Sequence, residues 1–222
     1  MPYLSYAAIA QSPLQFDPFE YMIVPNCIDK DALKKINADF PAVPGPGSHP
    51  PSVLDVHGHF AKLLEELDGP MFRDVVEKKF GIDLEHRPTM CTVRGYVQRR
   101  DGGIHTDSKT KIITVLLYLN EHWVADGGRL RLLRDGVDLE SYVAEVPPLG
   151  GTLLVFRRCD HSWHGHKPYE GPRRAIQFNW VTSAEVVKKE QARHRLSTRV
   201  KWLKGLVMKQ EPVSPSTATA VQ

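Results

Sequence analysis

The sequence predicts a mainly β domain: a jelly roll with packing helices before it and one helix after it. Three observations carry this. Past residue 88 the chain is a succession of short apolar and β-branched runs. Gly-Gly, Pro-Pro and Asp-Gly pairs separate those runs at turn positions. Before residue 88 and after residue 183 the apolar spacing is helical instead. Many short strands joined by Gly and Pro turns fold as two face-packed antiparallel sheets.

The elements follow in order. Residues 17–26 read as a strand ending in a turn, and 29–39 as a helix through Leu33 and Ile36, stopped at Phe40-Pro41. Residues 41–51 hold too many prolines and glycines for a regular element and form a loop, at the rim of a site or simply on the surface. A helix from about His59 to Leu67 turns Phe60, Leu63, Leu64 and Leu67 to one side, and Gly69-Pro70 breaks it. A second helix runs from Met71 to Phe80 with Gly81 as its C-cap. Strands are expected at 90–98, 111–119, 129–134, 142–146, 152–156 and 174–181. From 184 to 210 the pattern is a basic helix with Val200, Leu203 and Leu206 on one stripe, and 211–222 reads as a disordered tail. The domain proper is therefore 1–183, with its β core at about 88–183.

Composition excludes several classes. With 29 Lys and Arg against 26 Asp and Glu, the net charge of +3 gives no broad case for nucleic acid. No run of 18 apolar residues exists, and the N-terminus lacks the basic flank of a secretory signal. Three cysteines, Cys27, Cys91 and Cys159, make neither a disulfide framework nor a zinc knuckle. They read as small core residues in a reducing cytoplasm.

The chemistry concentrates in two segments. In Gly-Gly-Ile-His-Thr-Asp-Ser, His105 and Asp107 are separated by one residue, so on a strand both side chains face one ion. The later segment offers His161, His164 and His166, followed by Arg173 and Arg174. Two histidines and one carboxylate are the ligand set of a non-haem Fe(II) site with open positions. Arg173, nine residues after His164, could seat the carboxylate of an organic co-substrate through its planar fork. On a regular strand Arg173 shares a face with Gln177 and Asn179, polar residues aimed into a sandwich interior, while Arg174 points outward.

These motifs have an order. His105-Thr106-Asp107 is followed by Tyr118-Leu119-Asn120, Gly127-Gly128, Gly150-Gly151 with the strand 152–156, and His164 with Arg173. That order resembles the double-stranded β-helix of the 2-oxoglutarate and Fe(II)-dependent dioxygenases, above all their prolyl-hydroxylase-like branch, over roughly residues 90–182. The resemblance implies His105, Asp107 and His164 as metal ligands, with His166 in reserve, and Arg173 on the distal carboxylate of 2-oxoglutarate. It implies Fe(II), 2-oxoglutarate and O2 as cofactor and co-substrates. The reaction implied is hydroxylation of a C–H bond with release of succinate and CO2. Tyr96, nine residues before His105, is a further candidate on the co-substrate, and Gln177 and Asn179 are candidates for the pocket floor. Tyr118 has the right neighbourhood, but strand alternation could turn it outward. His161 could orient a ligand or belong to a surface turn, and Trp163 could pack as core or rim.

The substrate is left as peptidyl or small-molecule. A non-catalytic, cupin-like metal or small-molecule binding module is the alternative, and it has no need of Arg173. The basic face of the C-terminal helix, including Lys188, Lys189, Arg193, Arg195 and Arg199, reads as solvated; nucleic acid is not expected as its partner. The Val200, Leu203 and Leu206 stripe, with Trp202, could form a homodimer surface.

Overall fold

The computed structural model describes residues 2–189. Its elements are α1 (Tyr6–Gln11), β1 (Tyr21–Val24), α2 (Lys30–Ala38), α3 (Gly58–Leu67), α4 (Pro70–Phe80), β2 (Thr89–Val97), β3 (Lys111–Tyr118), β4 (Leu130–Leu133), β5 (Tyr142–Val146), β6 (Leu153–Arg157), β7 (His164–His166) and β8 (Gly171–Val181). Helical structure resumes at Ala184 and continues to Lys189. The remainder of the expected basic helix, its apolar stripe and the tail lie outside the described residues.

Local chemistry sets the helix ends. The Asp29 carboxylate accepts from the backbone N–H of Asp31 and Ala32, capping α2. Pro70 opens α4, where its missing N–H has no partner to lose. Gly81 closes α4 in the left-handed conformation expected of it.

Two antiparallel sheets make the β core. The larger has the order β1-β6-β3-β8-β2 and the smaller β5-β4-β7. Alternation gives the larger sheet two different faces. Val93, Ile113, Val115, Leu117, Val155, Ile176, Phe178 and Trp180 point outward, under Phe60, Leu63, Leu67, Phe72, Val76 and Phe80 of α3 and α4. Phe72 stacks on Trp180 at a ring separation of 5.8 Å, and Phe178 meets Trp180 edge-on at 4.9 Å. Burying such side chains is worth roughly 1.5–3 kcal/mol each, and this layer supplies the bulk of the apolar core. The helices thus pack against one side of the sheet and leave the other side to the smaller sheet.

The inner face is apolar at one side only. Tyr21, Leu154 and Phe156 pack with Leu130, Leu132 and Val146 of the smaller sheet. On β2, β3 and β8 the inner positions include Thr92, Arg94, Thr114, Arg173, Gln177 and Asn179. Such residues are costly between sheets unless they pair with one another or with something bound there.

Two elements depart from expectation. The helix α1 and the short β7 carry no strong periodicity and were not foreseen. The segment 41–51 is not free-standing: His49 and Val93 exchange both backbone hydrogen bonds, at 2.9 and 2.7 Å, which ties that segment to the edge of β2.

Candidate active site

His105 and Asp107 do not lie on a strand, contrary to the sequence expectation. They sit in the irregular connection between β2 and β3. The connection is held by one bridge to β7, in which the backbones of His105 and His164 exchange hydrogen bonds of 3.0 and 2.9 Å. That bridge supplies what the strand was expected to supply. Candidate ligand atoms of His105, Asp107 and His164 all lie within 4.8 Å of one another.

Each donor is oriented from behind. The His105 Nδ1 is 2.8 Å from the Gly103 carbonyl, and the His164 Nδ1 is 3.0 Å from the Ser162 carbonyl. A carbonyl only accepts, so both Nδ1 atoms carry the proton and both Nε2 lone pairs remain for a metal. The Asp107 Oδ2 accepts from the Thr114 hydroxyl at 2.6 Å, and that hydroxyl accepts from Asn179 Nδ2 at 2.9 Å. The Asp107 Oδ1 accepts from Lys111 Nζ at 2.8 Å. Each carboxylate oxygen keeps a further lone pair.

The electrostatics favour the ligating forms. Burial works to raise the Asp107 pKa, but Lys111, His164 and the Thr114 hydroxyl outweigh it and hold the carboxyl below its usual range. Burial pushes His164 down to about 4, against the opposing pull of Asp107. At neutral pH His164 is thus a neutral imidazole and Asp107 a carboxylate, and with the free Nε2 of His105 they make a donor set that fits Fe(II).

The same cavity, of about 320 Å³, reaches from this cluster to Arg173. Arg173 is only 6% exposed. Its Nε donates to the Gly128 carbonyl at 2.9 Å and its Nη2 to the Tyr118 hydroxyl at 3.3 Å. The guanidinium also lies 5.0 Å from the Tyr118 ring centre. Among the described residues no carboxylate pairs with it. A buried cation held by a carbonyl and a phenol is built to receive an anion.

The Gly-Gly step explains this placement. Gly128 has φ +77°, and a Cβ there would lie 2.6 Å from the Trp123 ring. Only glycine lets the chain turn here and present its carbonyl to Arg173.

The geometry agrees with what this chain resembles. Residues 91–182 match the family model of the 2OG-Fe(II) oxygenase superfamily. The matched span takes in the β core from β2 to β8 and both segments of the site. Oxygenases of this family use Fe(II), 2-oxoglutarate and O2. No curated protein matches in sequence. Among solved structures, the fold is similar to that of a Pseudomonas putida prolyl-4-hydroxylase, with a TM-score of 0.53 at 20% identity over 81% of this chain and 94% of that one. It is similar to a 2OG-Fe(II) oxygenase-family oxidoreductase from Burkholderia pseudomallei, with a TM-score of 0.52 at 17% identity over 80% and 91%. It is also similar to HygX from Streptomyces hygroscopicus, solved with nickel and 2-oxoglutarate bound, with a TM-score of 0.53 at 12% identity over 76% and 84%. At these identities the likeness is one of fold.

Within the β core the expected residues divide clearly. His105, Asp107, His164, Arg173 and Gln177 line the one cavity. Asn179 is buried behind it and steadies Asp107 through Thr114 instead of facing a co-substrate. Tyr96 is a correction. The register of β2 against β8 shifts between Arg94 and Tyr96, so inward alternation ends at Arg94. Tyr96 lines an outer groove with Phe40, Pro41 and Val43. The shift turns outward a residue that regular alternation would aim inward. His166 lines the cavity but stands apart from the metal cluster, against Gly102, and burial together with Arg173 pushes it down to about 4. His161 is exposed near Phe16 and Phe19, away from the cavity. Trp163 is half-buried against Gly136.

Arg94, Lys111, Thr114 and Ser48 also line the cavity without a motif in the sequence to mark them, and Tyr118 reaches Arg173 with its hydroxyl. Thr114, Leu116 and Tyr118 occupy alternate positions of β3, so the polar Thr114 in an otherwise apolar run was the available signal for which face looks inward. Ser48 carried none, because its place depends on the pairing of His49 with Val93.

Proposed function

We propose that this domain hydroxylates a C–H bond of its substrate, with His105, Asp107 and His164 holding Fe(II) and Arg173 holding 2-oxoglutarate. The observation supporting it is that a three-donor cluster and an unmatched buried arginine share one small cavity. Bound there, the iron and co-substrate would supply the oxidising chemistry, with O2 as oxidant and succinate and CO2 as by-products.

The chain's own residues do the positioning. Arg173 and the Tyr118 hydroxyl are placed to hold the distal carboxylate of 2-oxoglutarate by charge-assisted hydrogen bonds. His105 and Asp107 come from one connection and His164 from the smaller sheet, so the three donors would hold the ion where they converge on the cavity. Thr114 and Asn179 hold the Asp107 carboxylate in one orientation. Phe156, its ring 5.1 Å from that of His164, and Leu116 and Leu130 on the cavity wall keep water from that side.

The three cysteines are all free thiols, which supports a reducing, cytoplasmic setting. Burial pushes Cys27 and Cys91 up to about 12, as expected of inert core thiols. Among the described residues no helix is long and apolar enough to cross a membrane.

Turnover is tested by incubating the Fe(II)-loaded protein with 2-oxoglutarate and pooled metabolites or peptides in air. Succinate release that requires Fe(II) and disappears in His105→Ala is the expected result. Absence of succinate from protein shown to hold iron and 2-oxoglutarate, across both pools, contradicts the proposal.

A further inference from the structure

Arg173 accounts for one end of the cavity, but a second arginine faces it. Arg94, on the inner face of β2, lines the same space. Its side chain is 30% exposed, whereas Arg173 is buried. Arg94 therefore stands at the mouth and Arg173 at the floor. Their order follows from the β2–β8 register, in which Arg94 lies opposite Ala175, beside Arg173 on the same face.

Arg94 is held in place but poorly neutralised. Its Nη2 donates to the Ser48 hydroxyl at 3.0 Å, and that serine comes from the segment strapped to the edge of β2. Its only carboxylate partner among the described residues is Asp101, at 3.9 Å, and that carboxylate already accepts from the Gln98 N–H at 3.0 Å. Burial, and then the nearby Arg173 guanidinium, lower the Arg94 pKa, and Asp101 does not restore it. The cation is fixed in direction and under electrostatic stress, which an incoming anion would relieve.

Charge balance decides which kind of anion. The cavity is lined by three fixed cations, Arg94, Lys111 and Arg173, and two carboxylates, Asp101 and Asp107. Fe(II) and the 2-oxoglutarate dianion cancel one another. One positive charge is left, which suits a monoanion better than a doubly charged phosphate. The volume of about 320 Å³ is at the small end of the ligand-pocket range of roughly 300–1,000 Å³.

We propose that Arg94, steadied by Ser48, binds a carboxylate of the substrate, so that the molecule hydroxylated is a small carboxylic acid. The assignment rests on the oxygenase reading above. Thr92 and Gln177, paired in register between Arg94 and the metal cluster, line the cavity where the rest of such an acid would lie.

The test uses propanoate as probe and propanamide as its neutral isostere, on the anaerobic complex of the protein with Fe(II) and 2-oxoglutarate. The readout is the proton relaxation of each probe, enhanced by the paramagnetic ion when the probe sits in the cavity. The complex itself is followed by its visible charge-transfer band. Propanoate is expected to relax faster than propanamide. Arg94→Gln should weaken its binding about tenfold, equivalent to about 1.4 kcal/mol, with Arg94→Lys intermediate. The 2-oxoglutarate needed to develop the band should change less than about fivefold in Arg94→Gln, since that site is assigned to Arg173. Equal relaxation of the two probes, or propanoate relaxation unchanged in Arg94→Gln, overturns the substrate-anion site. So does a fivefold or larger rise in the 2-oxoglutarate requirement, which would make Arg94 a second co-substrate anchor. A wild-type protein that forms no band at all removes the oxygenase reading itself, a different failure from the other three.

Discussion

At the scale of single residues, the site is a set of side chains whose freedom has been removed by their neighbours. Asp107 could rotate into several conformers, but Thr114 and Lys111 each take one of its oxygens. Thr114→Val keeps the shape of the side chain and deletes the hydroxyl that links Asp107 to Asn179. The expected outcome is a roughly 10–100-fold loss of Fe(II) affinity with the fold retained, measured by anaerobic metal titration. Unchanged affinity would show that Lys111 and the ion alone orient the carboxylate. The convergence of His105, Asp107, His164 and Arg173 on one cavity was legible in the sequence because their spacing in the chain survives as proximity in space. Tyr96 was misread because one irregular step in β2 reverses the parity of everything after it, and no residue type announces such a step. Arg94 was overlooked for a related reason: its inward aim follows from Thr92 and from the register against Gln177 and Ala175, which only the sheet reveals.

At the scale of elements, turns place the chemistry and strands give it a floor. Gly127-Gly128 is the clearest case, since its second carbonyl holds Arg173. Gly128→Ala must adopt a positive φ and push against Trp123 and Tyr169. The strain should cost on the order of 1–3 kcal/mol, seen as a lowered thermal midpoint, and 2-oxoglutarate should bind more weakly because Arg173, its proposed anchor, is misplaced. Normal co-substrate affinity in a destabilised variant would separate the turn from the site. Asn120 has a comparable part at the end of β3. It donates to the carbonyls of Pro148 and Arg174 at 2.6 and 3.2 Å and accepts from the Arg174 N–H at 2.7 Å. Three segments meet on one amide, which gives the Tyr-Leu-Asn sequence a structural reason. Most strands and helices were legible from periodicity. The bounds of β8 were not, because it starts at Gly171, before the expected Arg174, in a Gly-Pro step that reads locally as a turn.

At the scale of the whole molecule, the larger sheet divides the protein into a side that stabilises and a side that reacts. Apolar burial under α3 and α4 secures the fold and permits buried polar groups on the inner face. Those groups make stability depend on pH. His164 and His166 are neutral in the folded protein down to about pH 4 and titrate at 6.5 when free. Between those values the unfolded chain binds more protons, so stability is complete above pH 6.5 and declines as pH falls toward 4. The slope expected for the metal-free protein approaches about 1.4 kcal/mol per pH unit for each histidine. Urea unfolding midpoints between pH 7 and 5 measure it, and His166→Asn should reduce the slope by about half. A flat profile would mean that these histidines are not buried in the neutral form.

One cavity is proposed to hold both the iron and the co-substrate, and the decisive measurement is an anaerobic titration of the metal-free protein with Fe(II) and then 2-oxoglutarate. A visible charge-transfer band that is absent in His164→Ala is the expected result. In Arg173→Ala it should need at least about tenfold more 2-oxoglutarate, as expected for loss of a charge-assisted pair worth roughly 1.5–3 kcal/mol. A folded, iron-loaded wild-type protein that shows no band, or a band indifferent to Arg173, would contradict it.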